Sequence, residues 1–349
     1  MYEVLTGFTL PNISQPGGWL PLVFSLVMAL AMLAYVILDG YDLGVGVLLR
    51  RADTEAQKDT MIASIGPFWD ANQTWLVLGV GVLLVAFPVA HGVILGALYL
   101  PVALMLAALT LRGVAFDFRV KARAEHKPLW DRAFHAGSLL AGWSQGFMLG
   151  SLITGFADDW GSRLFSVLIG LCLVAAYCLL GAGWLIMKTE GELQLAAVRW
   201  AQGRLWFTVQ GVAAISLVTP LVSERIFEKW FSLPNVVLLF PIPVMTVALF
   251  VVIARSLKRL PTRLNQGNQY GAAVPFVSTV GIFLLAFYGL AYSLFPWLVM
   301  DKLTLWQAAS STEALTVIFW GVVVVLPIII GYTVFAYRVF WGKTTVLKY

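Results

Sequence analysis

From Leu20 to Leu49 the chain runs thirty residues with only two charged side chains, Asp39 and Asp42. As one helix this stretch would rise about 45 Å, more than the roughly 30 Å hydrocarbon core of a bilayer. Similar runs recur along the chain. With 60% of its 349 residues hydrophobic, 12% charged and a mean hydropathy of +0.85, it lies outside the range of soluble globular domains and reads as a polytopic membrane protein.

Taking about 20 apolar residues as a span, with polar or Pro/Gly punctuation as the boundaries, predicts nine helices. They lie near 20–49, 67–88, 92–113, 131–156, 162–188, 202–222, 236–256, 273–296 and 313–340, within a single membrane domain covering 1–349. The run from 67 to 113 would be about 70 Å long as one helix, so a tight hairpin is expected at Phe87-Pro88-Val89-Ala90-His91-Gly92. Nine spans put all but four of the 23 lysines and arginines on alternate connections, the exceptions being Arg163, Arg225, Lys229 and Lys302. This bias places the N-terminus outside and the C-terminus in the cytoplasm. It also accounts for a net charge of +5 without a nucleic-acid partner. No cleaved signal peptide is expected, because no basic region precedes the first apolar run, which is too long for one.

Several chemistries find no support. Cys172 and Cys178 are six apart in one apolar helix, so they do not face each other as a disulfide, match no metal motif and are expected to pack as small apolar residues. His91, His126 and His135 are not placed as a bis-histidine haem pair. No phosphate-binding glycine loop is present, since Gly40, Gly44 and Gly46 match neither the Walker nor the dinucleotide spacing. Redox cofactors, where redox chemistry occurs, belong to another chain. Two local expectations concern the connections: 188–204, with Glu190 and Glu192, reads as a polar loop, and Ser310-Ser311-Thr312-Glu313 as a capping box.

Three polar constellations carry the chemistry. Asp39 and Asp42 share one helix face, thinned by the three glycines, about 16 Å from the cytoplasmic Arg50. They either receive a proton or cation from that side, or satisfy a neighbouring helix or an arginine; the two roles are compatible. The second is Ser64-Ile65-Gly66-Pro67-Phe68-Trp69-Asp70-Ala71-Asn72-Gln73-Thr74-Trp75. Pro67 and Asp70 suit a helix start and Trp69 and Trp75 an interfacial belt, while Asp70, Asn72, Gln73 and Thr74 together suit a hydrated proton or ion entrance. The third is Leu111-Arg112-Gly113-Val114-Ala115-Phe116-Asp117-Phe118-Arg119, in which Arg112 either counters Asp70 or a span-one aspartate, or snorkels to lipid headgroups.

Leu38-Asp39-Gly40-Tyr41-Asp42-Leu43-Gly44-Val45-Gly46 and the two motifs above, in that order, resemble subunit II of the bd-type quinol oxidases, as do Met187–Leu193 and the Trp306–Glu313 region. The resemblance implies a non-haem subunit of a bacterial respiratory terminal oxidase in the cytoplasmic membrane, folded as two four-helix bundles plus a peripheral helix. It implies a heterodimer with subunit I, which carries the haems, b and in some members d, and the site for quinol; a small single-helix subunit and a structural quinone accompany some members. O2 is reduced to water by the complex. Residue by residue, the proton-entry acid falls on Asp70, its neighbours on Trp69 and Arg112, the first-helix acids on Asp39 and Asp42, and a further motif acid on Asp117. With a brief outer connection at 222–235, the chain is short for that family.

Two other classes remain in play. A proton- or ion-coupled secondary transporter would bind its coupling ion at Asp39 and Asp42, although no inverted repeat or matched pair of broken helices is visible. A purely structural membrane scaffold would need the acids for assembly only.

Overall fold

A computed structural model describes residues 17–344, so Lys348 lies outside the described residues. Long apolar runs become long helices because only internally hydrogen-bonded backbone is tolerated in lipid. In chain order these are α1 (Leu20–Leu48), α2 (Glu55–Ile65), α3 (Trp69–Ala86), α4 (Pro88–Lys121), α5 (Lys127–Ile153), α6 (Trp160–Lys188) and α7 (Gly191–Val222). Then follow α8 (Glu224–Phe231), α9 (Asn235–Leu239), α10 (Pro241–Asn265) and α11 (Val274–Leu294). A small hairpin, β1 (Trp297–Val299) antiparallel to β2 (Leu303–Thr304), precedes α12 (Leu305–Ala308) and α13 (Thr312–Val339). Eight helices among the described residues are long and apolar enough to cross a membrane. α5 has the length, at 27 residues, but carries too many polar groups to join them.

α1 sits at the centre, packed on α3, α5 and α6; α4 packs on α5, and α6 on α5 and α7. α10 and α11 pair and lean on α6 and α7. α13 is mostly exposed, burying only Leu315 and Ala336. Glycine is what brings the central backbones so close. A Cβ on Gly44 would lie 1.8 Å from the Tyr177 carbonyl oxygen, and one on Gly181 2.5 Å from the Val45 amide nitrogen, so α1 and α6 cross backbone to backbone. A Cβ on Gly40 would strike the Tyr177 ring, and one on Gly46 would strike Ser138 of α5.

The chain reverses at Phe87, the single residue between α3 and α4. The Ala86 carbonyl accepts from Ser310 at one end of the molecule, while Arg119, near the far end of α4, meets Asp59 and Asp131 at the other. α4 kinks at Leu98, three residues before Pro101, where the ring crowds the preceding turn.

Two sequence expectations need correction, and one connection carries a short helix of its own. The segment 191–204 is not a loop but the first turns of α7, whose Leu193, Ala197, Ala201 and Leu205 recur at four-residue spacing and are buried. The outer connection at 222–235 holds α8, capped where the Ser223 hydroxyl accepts from the Ile226 amide. At the last long helix the cap is Ser311, accepting from Ala314, which leaves Glu313 too early to close a capping box. A capping box does form, one short helix earlier, between Thr304 and Gln307.

Contacts sort the basic residues by end. Lys58 reaches Asp131, Lys188 the Phe340 carbonyl and Lys343 the Gln269 side chain, linking the connections at one end. Arg225 pairs with Asp301, and Lys302 and Lys229 donate to the carbonyls of Gly155 and Phe295, at the opposite end.

Candidate functional site: a buried Asp-Arg-Asp cluster

Asp39, Asp42 and Arg112 have no exposed surface at all. Arg112 comes to them from α4, which runs on to Lys121, so the guanidinium stands about 14 Å short of that helix's end rather than at a lipid edge. Its Nη1 donates to Asp39 Oδ1 at 2.7 Å, and its Nη2 lies 4.0 Å from Asp42 Oδ2. Arg112 therefore counters both span-one aspartates and neither reaches lipid nor pairs with Asp70.

Asn72 clamps the other side. From the first turn of α3 its amide donates to Asp42 Oδ2 at 2.7 Å, to the Tyr41 hydroxyl at 3.1 Å and to the Leu38 carbonyl at 3.2 Å. Tyr337 of α13 donates to Asn72 Oδ1 at 3.2 Å and shares a 2.6 Å hydrogen bond with Tyr41. A second polar string lies near Asp39, where Tyr177 donates to Gln145 and Gln145 to Tyr35. Tyr337, Tyr35, Gln145 and Tyr177 were not singled out from sequence. The signal available there was a lone amide or hydroxyl within an apolar run, which marks many satisfied core residues equally well.

The cluster is not fully satisfied. Asp39 Oδ2, Asp42 Oδ1, Arg112 Nε and Arg112 Nη2 are buried without a hydrogen-bond partner among the described residues, as are Gln73 Nε2 and Trp75 Nε1 on the adjacent helix. Each such atom costs about 1–3 kcal/mol. A well-packed apolar trio of similar volume is often as stable as a buried ion pair or more so, so stability alone does not explain this arrangement.

The remaining residues singled out from sequence fall into two groups. Trp69 belongs to the cluster's rim: its ring lies 6.0 Å from the Arg112 guanidinium and packs on Phe116. Asp70, next in the first turn of α3, is exposed and has no ion pair among the described residues. Asp117 is also exposed and stands apart, on the face of α4 turned away from Arg112. α3 thus carries Asp70 on the surface and, two residues on, Asn72 against the buried acids. Among the described residues no group of three or more histidine, cysteine, aspartate and glutamate side chains is placed to hold a metal ion.

A charge network that sequence spacing did not suggest braces the same end of the molecule. Arg119, 1% exposed, binds Asp131 at 2.5 Å and Asp59 at 2.6 Å and approaches Glu55 at 3.4 Å. Lys58 joins Glu55 to Asp131, and Lys127 sits 3.3 Å from Asp59. The network ties α2 to α4 and α5. Partial burial would raise the Asp59 carboxyl, but hydrogen bonds and charge from Arg119 and Lys127 outweigh it and hold the group below the usual carboxylate range. A carboxyl depressed in the folded state contributes stability above its unfolded value and loses it as pH falls through the folded one. Amide exchange over Glu55–Ile65, corrected for intrinsic rates, is accordingly expected to speed up as pH drops below about 4, and less so in Asp59→Asn.

Comparison with known proteins places these motifs in context. A family model described as Cytochrome bd terminal oxidase subunit II matches residues 20–340. Cytochrome bd-I ubiquinol oxidase subunit 2 of Escherichia coli (strain K12) is 30% identical over 370 aligned residues, covering 93% of this chain and 94% of the relative. Cytochrome bd ubiquinol oxidase subunit 2 of Bacillus subtilis (strain 168) is 28% identical, covering 90% and 94%. A chain of the bd oxidase structure from Geobacillus thermodenitrificans superposes with a TM-score of 0.69 at 19% identity, over 93% of this chain and 99% of that one.

Proposed function

Since the chain belongs to the cytochrome bd terminal oxidase subunit II family, we propose that it is the non-haem subunit of a quinol:O2 oxidoreductase and supplies that complex with a proton route. The complex oxidises quinol and reduces O2 to water in a bacterial cytoplasmic membrane, as a heterodimer with a haem-bearing subunit I. A small extra subunit and a structural quinone remain expectations carried by the family. Nine spans, two four-helix bundles with a peripheral helix and a cytoplasmic C-terminus belong to the same reading, the orientation resting on the positive-inside bias.

One observation carries the proton assignment: the exposed Asp70 and the buried Asn72 share the first turn of α3, and Asn72 holds Asp42, whose second oxygen has no partner. Protons consumed in O2 reduction enter from the cytoplasm at Asp70. Trp69 and Arg112 shape the path, the positive charge of Arg112 offsetting the repulsion between the Asp39 and Asp42 carboxylates. Asp39 and Asp42 take up and release the proton inward, each through its unpaired oxygen. Asp117, exposed on another face, serves at most as a collecting charge on the same surface. Haem in subunit I supplies the oxygen chemistry, and this chain's residues only hold and move protons toward it. With these protons drawn from the cytoplasm and quinol protons released outside, turnover builds a proton-motive force without a pump.

The test is Asp70→Asn in the whole complex. Quinol oxidase turnover is expected to fall about 10²-fold, in the range of a lost proton-transfer group, with haem content unchanged and proteoliposome acidification reduced in step. Full turnover at normal haem content would overturn the entrance assignment.

A further inference from the structure

α10 ends in a cationic stripe without counter-charge. Arg255, Arg259 and Arg263 recur every four residues, so they lie within about 80° of one another on one helix face, and the same face running back into the span carries Val252 and Met245, which are 43% and 52% exposed. The helix therefore presents one continuous strip, apolar along the span and cationic at its end.

The cationic part is walled into a cleft. The turn between α10 and α11, from Gln269 to Val274, lies beside the three arginines and forms with them an open cleft of about 660 Å³, with Val252 on the side toward the apolar strip. Arg263 is held there by the Tyr270 carbonyl, 3.5 Å from its Nη1, with the Tyr270 ring beside its guanidinium. No aspartate or glutamate occurs between Glu228 and Asp301, and none of the three arginines makes an ion pair among the described residues. The turn itself is anchored elsewhere, since Gln269 bonds Gln194 and Lys343. The cleft thus lies at the same end as the other basic connections and opens where the exposed apolar face of α10 begins.

We propose that this cleft binds an anionic phospholipid, its phosphate among Arg255, Arg259 and Arg263 and its acyl chains along Val252 and Met245. Guanidinium groups suit phosphate because their planar donor forks match its oxygens, and the apolar strip of Val252 and Met245 gives a diacyl lipid a reason to bind that free phosphate lacks. The inference is independent of the proton route. It needs only that α10 lies against lipid.

The experiment is native mass spectrometry of the purified, delipidated oxidase complex titrated with phosphatidylglycerol or with phosphatidylcholine. At about 5-fold per basic residue, wild type is expected to retain phosphatidylglycerol far better than phosphatidylcholine, and Arg255→Gln/Arg259→Gln to lose roughly 30-fold of that affinity. Arg255→Lys/Arg259→Lys keeps the charge and is expected to retain most of the preference, which separates lost binding from misfolding. Haem content and detergent turnover should be unchanged in both. Equal retention of the two lipids by wild type, or an undiminished preference in the glutamine variant, would overturn the proposal. So would displacement of phosphatidylglycerol by millimolar inorganic phosphate, which would make the cleft a phosphate site, or occlusion of the arginines by a partner subunit.

Discussion

Arg112→Leu is expected to destabilise the subunit by about 3–5 kcal/mol, because removing one member of a buried ion pair strands the other's charge. Here two carboxylates would be stranded at once. Asp39 loses its 2.7 Å partner, and Asp42, on the same face one turn away, is left with only Asn72 against it. Neither acid has exposed surface through which water could compensate. Thermal unfolding of the purified complex, followed with haem retention, is the measurement, and a lowered midpoint with early haem loss is the expected result. The double variant Arg112→Leu/Asp39→Leu removes charge together with counter-charge and is expected to recover at least half of the loss. That recovery would identify the deficit as an unpaired charge and not a packing defect. An unchanged midpoint in the single variant would mean that the ion pair is not formed in the assembled protein.

The second large effect concerns Gly44. A side chain there would place its first carbon 1.8 Å from a backbone oxygen, which no rotamer change relieves. α1 and α6 would have to separate along their crossing. Because Asp39 and Asp42 lie on α1 within about two turns, the separation would also pull the acids from Arg112. Gly44→Val is therefore expected to abolish accumulation of a haem-loaded complex in the membrane. Gly203→Ala is the control: nothing lies within 4 Å of the added carbon, and the change is expected to be neutral or stabilising by up to about 1 kcal/mol. Equal accumulation of both variants would show that the two helices do not cross backbone to backbone.

Much of this architecture is legible in the amino-acid order alone, for a physical reason. A bilayer imposes its requirement on each segment separately: enough apolar residues to span, few charges, and basic residues left on one side. Local composition therefore exposed the long helices and the residues worth attention. The same locality explains the errors. Polar composition at 188–204 suggested a loop, yet a helix needs only one apolar face, and from 191 on Leu193, Ala197 and Ala201 provide it. The cap of the last long helix slipped by one residue because four adjacent Ser, Thr and Glu residues offer overlapping choices.

Partnership was not legible. Arg112 had three readings from sequence, and the one realised joins residues 73 positions apart. Tyr337 meets Asn72 across 265 positions, and Arg119 meets Asp59 across 60. Such contacts depend on the rotational phase of each helix against its neighbours. That phase follows from backbone approaches such as Gly44 on Gly181, whose consequences appear only when all the helices are in place.

The four aspartates divide along the same line. Asp39, Asp42 and Asp70 stand out from apolar surroundings, where a charge in lipid is expensive, and Asp117 is singled out by the motif that resembles the bd-type family. Their fates differ for a reason external to those segments. Asp39 and Asp42 point into the contact of α1 with its neighbours and meet a guanidinium there, whereas Asp70 and Asp117 sit on helix faces left exposed among the described residues. Hydropathy, a property of single segments, was enough to draw attention to Asp39, Asp42 and Asp70, and the motif resemblance added Asp117. Which two face inward and which two stay on the surface was decided by helix packing, because burial is a relation between segments.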